Sequence, residues 1–200
     1  MTRPVSKWEQ MITTNPEHSR WYAERFEQME RAGQDLFGEA RLLDALLPRN
    51  AKVLDAGCGP GRLAPFFEAA GHDLTGVDLD QYLIDVASAK YPNSKWHQSD
   101  LAFISELGLT PDFDAVICAG NVMTFLAPET TTSVLQQLAA LVKPEGRLAI
   151  GFGLGRGYEL ETFLADIKAA NLNVSLLLES WDLFPFGPES NFVVAVLTKA

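Results

Sequence analysis

The run Val53-Leu54-Asp55-Ala56-Gly57-Cys58-Gly59-Pro60-Gly61 constrains this chain most, because an apolar strand there delivers a carboxylate to the mouth of a glycine loop. Glycines at alternate positions let the backbone turn tightly through positive φ. They also let a ligand approach the main chain where any Cβ would obstruct it. A strand entering such a loop, with a helix behind it, is the opening of an α/β unit that holds a nucleotide-type cofactor. The spacing then narrows the choice. A dinucleotide loop carries G-x-G-x-x-G, whereas these glycines run G-x-G-x-G with an acid two residues before the first.

The rest of the chain supports one such unit. Two hundred residues with 47% hydrophobic content supply one sizeable core and too little for two enzymatic domains, so a single domain over 1–200 is expected. A formal net charge of −10 argues against the phosphate contacts of a nucleic-acid or anionic-membrane binder and favours a small-molecule partner. Near the amino terminus Arg3, Lys7 and Glu9 have no apolar run behind them, so neither a signal peptide nor a membrane span is expected, and the compartment is read as cytoplasmic. The two cysteines, Cys58 and Cys118, lack metal-ligand spacing, which predicts reduced thiols and no metal site.

Asn15-Pro16-Glu17 predicts a helix start, with Asn15 as N-cap and Pro16 in the first turn. Tyr22, Phe26 and Met29 continue it as an amphipathic stripe ending near Gly33. Leu36, Ala40, Leu43 and Leu47 form a second stripe, stopped by Pro48. From there the pattern alternates. Strands are predicted over 52–55, 73–77, 95–98, 113–119, 147–152, 173–179 and 192–198, and helices over 63–70, 82–90, 129–142 and 159–170, with a turn at Pro144-Glu145-Gly146. Such alternation implies a three-layer α/β sandwich with a mostly parallel sheet, since parallel strands need right-handed crossovers. The final strand–loop–strand has no intervening helix and permits an antiparallel last strand.

In open α/β sheets ligands lie beyond the carboxyl ends of the strands, and four of those ends carry suggestive residues. They are Asp55 with its loop, Gly76-Val77-Asp78, Ser99-Asp100-Leu101 and Ala119-Gly120-Asn121. With Leu141-Val142-Lys143-Pro144-Glu145-Gly146-Arg147, these segments make residues 50–155 resemble the class I S-adenosylmethionine (SAM)-dependent methyltransferases of small-molecule type. The resemblance implies a Rossmann-like, seven-stranded fold and SAM as cofactor, with S-adenosylhomocysteine (SAH) as product. It implies that Asp55, Ala56, Gly57, Gly59 and Gly61 meet the methionyl part, with loop N–H groups nearby. Asp78 would accept both ribose hydroxyls, with Leu79 against the adenine. Asp100 would face the adenine amino group and Leu101 its ring, while Ala119, Gly120 and Asn121 lie under the methionyl end. An acid after the second strand also suits an NAD ribose, so an NAD-dependent oxidoreductase stays as a rival that the glycine spacing disfavours.

Methyl transfer needs a nucleophile held in line more than it needs a shared catalytic group, and no catalytic residue is identified. The amino-terminal helices, 1–48, read as a lid over a core of 50–200, with His18 and Tyr22 as candidate substrate residues. A glycine-rich stretch at 151–158 offers Arg156 to an acceptor carboxylate or phosphate. Trp181-Asp182-Leu183-Phe184-Pro185-Phe186 either walls the acceptor pocket or covers the sheet edge. Gly120-Asn121-Val122-Met123 stands where amino-methylating enzymes often carry Asn-Pro-Pro-Tyr, and no large insertion supplies a substrate domain. The expectation is a methyltransferase acting on a small acceptor by in-line displacement, with O-, N- and S-methylation open. A non-catalytic SAM- or SAH-binding regulatory or scaffold module is the alternative.

Overall fold

A computed structural model describes residues 4–200, so Arg3 lies outside the described residues. Its frame is one seven-stranded sheet. The strands are β1 (Lys52–Ala56), β2 (Asp73–Asp78), β3 (Lys95–Gln98), β4 (Phe113–Cys118), β5 (Val142–Gly153), β6 (Leu172–Leu178) and β7 (Phe192–Lys199), in spatial order β3-β2-β1-β4-β5-β7-β6. The β1–β2, β2–β3, β1–β4 and β4–β5 pairs are parallel. Strand β7 runs antiparallel to both β5 and β6, as its helix-free connection permits. The chain leaves β1 toward β2 on one side and later returns through β4 on the other. That reversal opens a crevice above the carboxyl end of β1.

Alternating side chains divide the sheet into two apolar faces. Val53, Leu74, Ala115 and Ile117 pack with Ala40, Leu43 and Phe67, which come from α3 (Gly38–Leu46) and α4 (Ala64–Ala69). Leu54, Val77, Val116 and Cys118 pack on the opposite face with Val134, Leu138, Phe163 and Ile167, from α7 (Thr131–Leu141) and α8 (Leu160–Ala169). The fold is therefore the three-layer, Rossmann-like sandwich. Between them α5 (Gln81–Lys90) bridges β2 to β3, and the short α6 (Val122–Phe125) follows β4.

Three local expectations need correction. Residues Lys7–Thr14 form α1, capped by Ser6 and Glu9 in a reciprocal capping box. Asn15 ends that helix, its N–H reaching Met11 O at 2.8 Å, so α2 (His18–Arg31) starts later than the Asn15 cap implied. Strand β5 begins at Val142, because the Pro144-Glu145-Gly146 turn is absorbed as an irregularity between the Phe113↔Val142 and Ala115↔Arg147 pairs. The segment expected as one lid over 1–48 also divides. Helices α1 and α2 meet the site, whereas α3 belongs to the sheet's own layer.

Trp181 covers the sheet: a Cβ added at Gly151 would come within 2.4 Å of its ring. Phe184 O accepts the Glu179 N–H at 2.8 Å and Leu177 O accepts the Phe186 N–H at 3.3 Å, so 184–186 lies along the end of the edge strand β6. That outcome matches the covering alternative. Among the described residues, no helix is long and apolar enough to cross a membrane.

Candidate active site

The crevice above β1 is a solvent-open cavity of about 590 Å³, with Gly57, Gly59 and Gly120 in its floor and Asp78, Leu79, Asp100 and Leu101 in its wall. A smaller lobe of about 310 Å³ adjoins it and is lined by Asp55, Cys58 and Ala119. Tyr22, Gly57, Gly59 and Gly120 border both lobes. One elongated cleft thus runs from the end of β1 to the end of β3.

The glycine loop is tied inward. Val77 O accepts the N–H groups of Gly57 (2.7 Å) and Cys58 (3.1 Å), and Cys58 O accepts that of Gly61 (3.1 Å). Asp78 Oδ2 accepts the Gly59 N–H at 2.8 Å. The loop donors expected for a ligand are therefore already used, and the glycines contribute shape. At Gly57 φ is +82°, and a Cβ there would fall 2.3 Å from Val122 Cγ2.

Two acids at the cleft stay partly neutral. Asp55 is 3% exposed, and burial pushes its carboxyl up to about 7, with the Arg62 guanidinium pulling it back. Arg62 itself is engaged in a fork on Glu39 and with Leu36 O. Burial also lifts Asp78, to about 6, against the N–H groups of Asp80 and Gly59 that favour its charged form. Asp100 turns one oxygen onto Ala102 N–H at 2.9 Å while lining the cavity. These carboxylates, with Leu79 and Leu101 beside them, suit a ligand that carries hydroxyls, a cationic end and a flat apolar ring, which is the donor set that SAM presents.

Aromatic rings cover the glycine floor. The Tyr22 ring lies 3.5 Å from a Cβ built at Gly59, and burial raises its phenol, so the hydroxyl keeps its proton at neutral pH. Trp8 meets Tyr22 and Phe125 edge-on, with centroids 5.1 and 5.6 Å apart.

Of the residues read from sequence, Asp55, Gly57, Gly59, Asp78, Leu79, Asp100, Leu101, Ala119, Gly120 and Tyr22 come together on this cleft. Five do not line it. Ala56 points into the core, and Gly61 is closed in by Trp96, 2.7 Å from a built Cβ. Asn121, at φ +69°, accepts the Gly153 N–H at 2.7 Å and so joins the loops after β4 and β5. His18 stacks outside, between Trp8 and Trp21, and the exposed Arg156 folds back over Gly153. Trp8, Phe125 and Asp80 were not read from the sequence. The Ser6-x-x-Glu9 capping box was the available signal for Trp8, since it fixes the helix that carries it.

Comparison with known proteins agrees with this geometry. Residues 53–146 match the family model described as a methyltransferase domain. A solved structure of a TehB-like SAM-dependent methyltransferase from Corynebacterium glutamicum is 45% identical, covers 93% of this chain and all (100%) of its own, and superposes with a TM-score of 0.88. A SAM-dependent methyltransferase structure from Clostridium acetobutylicum shares the fold at 12% identity, covering 90% of this chain and 98% of its own, with a TM-score of 0.76. A trans-aconitate 2-methyltransferase of Rhizobium meliloti is 28% identical over 131 residues, which are 64% of this chain and 47% of that protein. The chain thus spans about half the length of the curated relatives it matches.

Proposed function

Because this chain belongs to the SAM-dependent methyltransferases, the family of its 45%-identical relative, we propose that it transfers the sulfonium methyl of SAM to a small-molecule acceptor by in-line displacement. The observation that carries this reading is the meeting of Asp55, Asp78, Asp100 and Gly120, from four successive strand ends, on one cleft. Bound there, SAM supplies an electrophilic methyl carbon on a sulfonium.

In this reading Asp78 holds the two ribose hydroxyls, Leu79 and Leu101 flank the adenine, and Asp100 takes its amino group. Asp55 faces the cationic methionyl end. Gly57, Gly59, Ala119 and Gly120 leave the room that the chain of the cofactor needs. Tyr22 lies over that floor as a hydrogen-bond donor, because its raised phenol disqualifies it as a base at neutral pH. Positioning behind the sulfonium then supplies most of the acceleration. The lid is α1 with α2, and the whole of 4–200 acts as one domain.

The net charge of −10 supports an acceptor other than nucleic acid or an anionic membrane. A panel of small O-, N- and S-nucleophiles incubated with methyl-labelled SAM tests the reaction. The proposal expects SAH and a labelled product in equal amounts with one class. Cofactor binding with no turnover across such panels would instead favour a regulatory SAM-binding module.

A further inference from the structure

We infer that Asp80 is a positioning residue that couples the helical lid to the cofactor half of the cleft, an inference that rests on the SAM reading above. Asp80 is 4% exposed, and each of its polar atoms is engaged. Its Oδ1 accepts the Tyr82 N–H at 3.0 Å and caps α5. Its Oδ2 accepts the Trp8 indole N–H at 2.9 Å and the Ser19 hydroxyl at 2.5 Å, one from α1 and one from α2. Its own N–H donates to Asp78 Oδ1 at 2.9 Å.

Capping a helix needs one carboxylate oxygen. The second oxygen is given wholly to the lid, and both lid donors are buried, Trp8 at 9% exposed and Ser19 at 6%. Three donors converge on an acceptor-only group, an arrangement that an amide cannot reproduce without turning N–H against N–H. The consequences reach both sides of the cleft. Below, the Asp80 N–H fixes the rotamer in which Asp78 faces the cavity. Above, the indole bond sets the plane of Trp8, which lines the same cavity and packs edge-on to Tyr22 and Phe125. Any ligand braced between Asp78 and that aromatic cover favours the closed lid, and by reciprocity the closed lid favours the ligand.

Calorimetric titration with SAH of the wild type, Trp8→Phe, Ser19→Ala and Asp80→Asn tests this, with hydrogen exchange across α1 and α2 in each bound and free protein. Wild type should bind SAH and gain protection in α1. Trp8→Phe keeps a smaller aromatic ring and loses the indole N–H, whereas Ser19→Ala loses a bond without altering the cavity lining; each should weaken SAH about tenfold and lose the ligand-dependent protection. Asp80→Asn should weaken it further. A contact that only supports the fold would lower the unfolding midpoint of free and bound protein alike and leave the affinity unchanged. Folded Trp8→Phe and Ser19→Ala proteins with wild-type affinity and protection would overturn the inference and leave Asp80 as a cap of α5. Failure of the wild type to bind SAH would instead remove the cofactor reading, and the coupling with it.

Discussion

Asp55 and Asp78 show what burial does to an acid before its ligand arrives. Both titrate well above the usual carboxylate value of about 4, at about 7 and about 6. Between those limits the folded protein holds protons that the unfolded chain has released. Rising pH through that window therefore costs the free fold stability. A ligand with hydroxyls and a cationic end favours the ionised acids and reverses the cost. The increase in melting temperature produced by SAH should accordingly be larger at pH 7.5 than at pH 5.5, and binding should release protons, which calorimetry in buffers of different ionisation enthalpy measures. Equal shifts at both pH values would refute the assignment of these acids. Gly57→Ala should be destabilised by about 1–3 kcal/mol, through the strained positive φ and the collision with Val122; chemical unfolding checks it. Asp78 was legible in the sequence because it ends the apolar strand β2, and Asp100 because it follows the end of the next short strand, β3. Asp80 was not, because its partners lie 72 and 61 residues away and only the fold brings them together.

Elements differ in how much of their structure is local. Strands β1, β2 and β4 were legible because apolar runs of their length, bounded by turn residues, have few alternatives. Helix α1 was not. It is eight residues long with one buried side chain, Trp8, so its periodicity is faint and its stability comes from docking. The boundary of α2 moved for a related reason: Asn15 serves the end of one helix and, through its side chain, the N–H of Glu17. Helices α7 and α8 are joined by another device. Asp166 on α8 accepts hydroxyls from Thr131 and Tyr158 at 2.7 Å each and from Thr132. Asp166→Ala should cost about 2–3 kcal/mol by leaving the Thr132 and Tyr158 hydroxyls without an acceptor while Thr131 retains Pro128 O, measurable by urea unfolding, with SAH affinity little changed because none of these residues lines the cleft. An affinity loss as large as that of the lid variants would contradict this separation.

For the whole molecule, the alternation of strands and helices was enough to fix the class of fold, and the strand order placed its crevice. The reversal at β1 and β4 turns residues scattered from Asp55 to Gly120 into neighbours, which is why strand-end reasoning recovered most of the cleft floor and wall. The cover was less legible. His18 and Arg156 were attractive as isolated polar groups, but their directions are set by packing against Trp8 and Gly153, and nothing local encodes that. The central claim is that the cleft holds SAM through Asp78, and calorimetric titration with SAM, SAH and NAD of the wild type and Asp78→Ala tests it most directly. Saturable binding of both adenosyl ligands and not of NAD, weakened about 100-fold in the variant through loss of two charge-assisted hydrogen bonds, is the predicted result. Folded wild-type protein that ignores SAM and SAH, or a variant that binds them as tightly as the wild type, would contradict it.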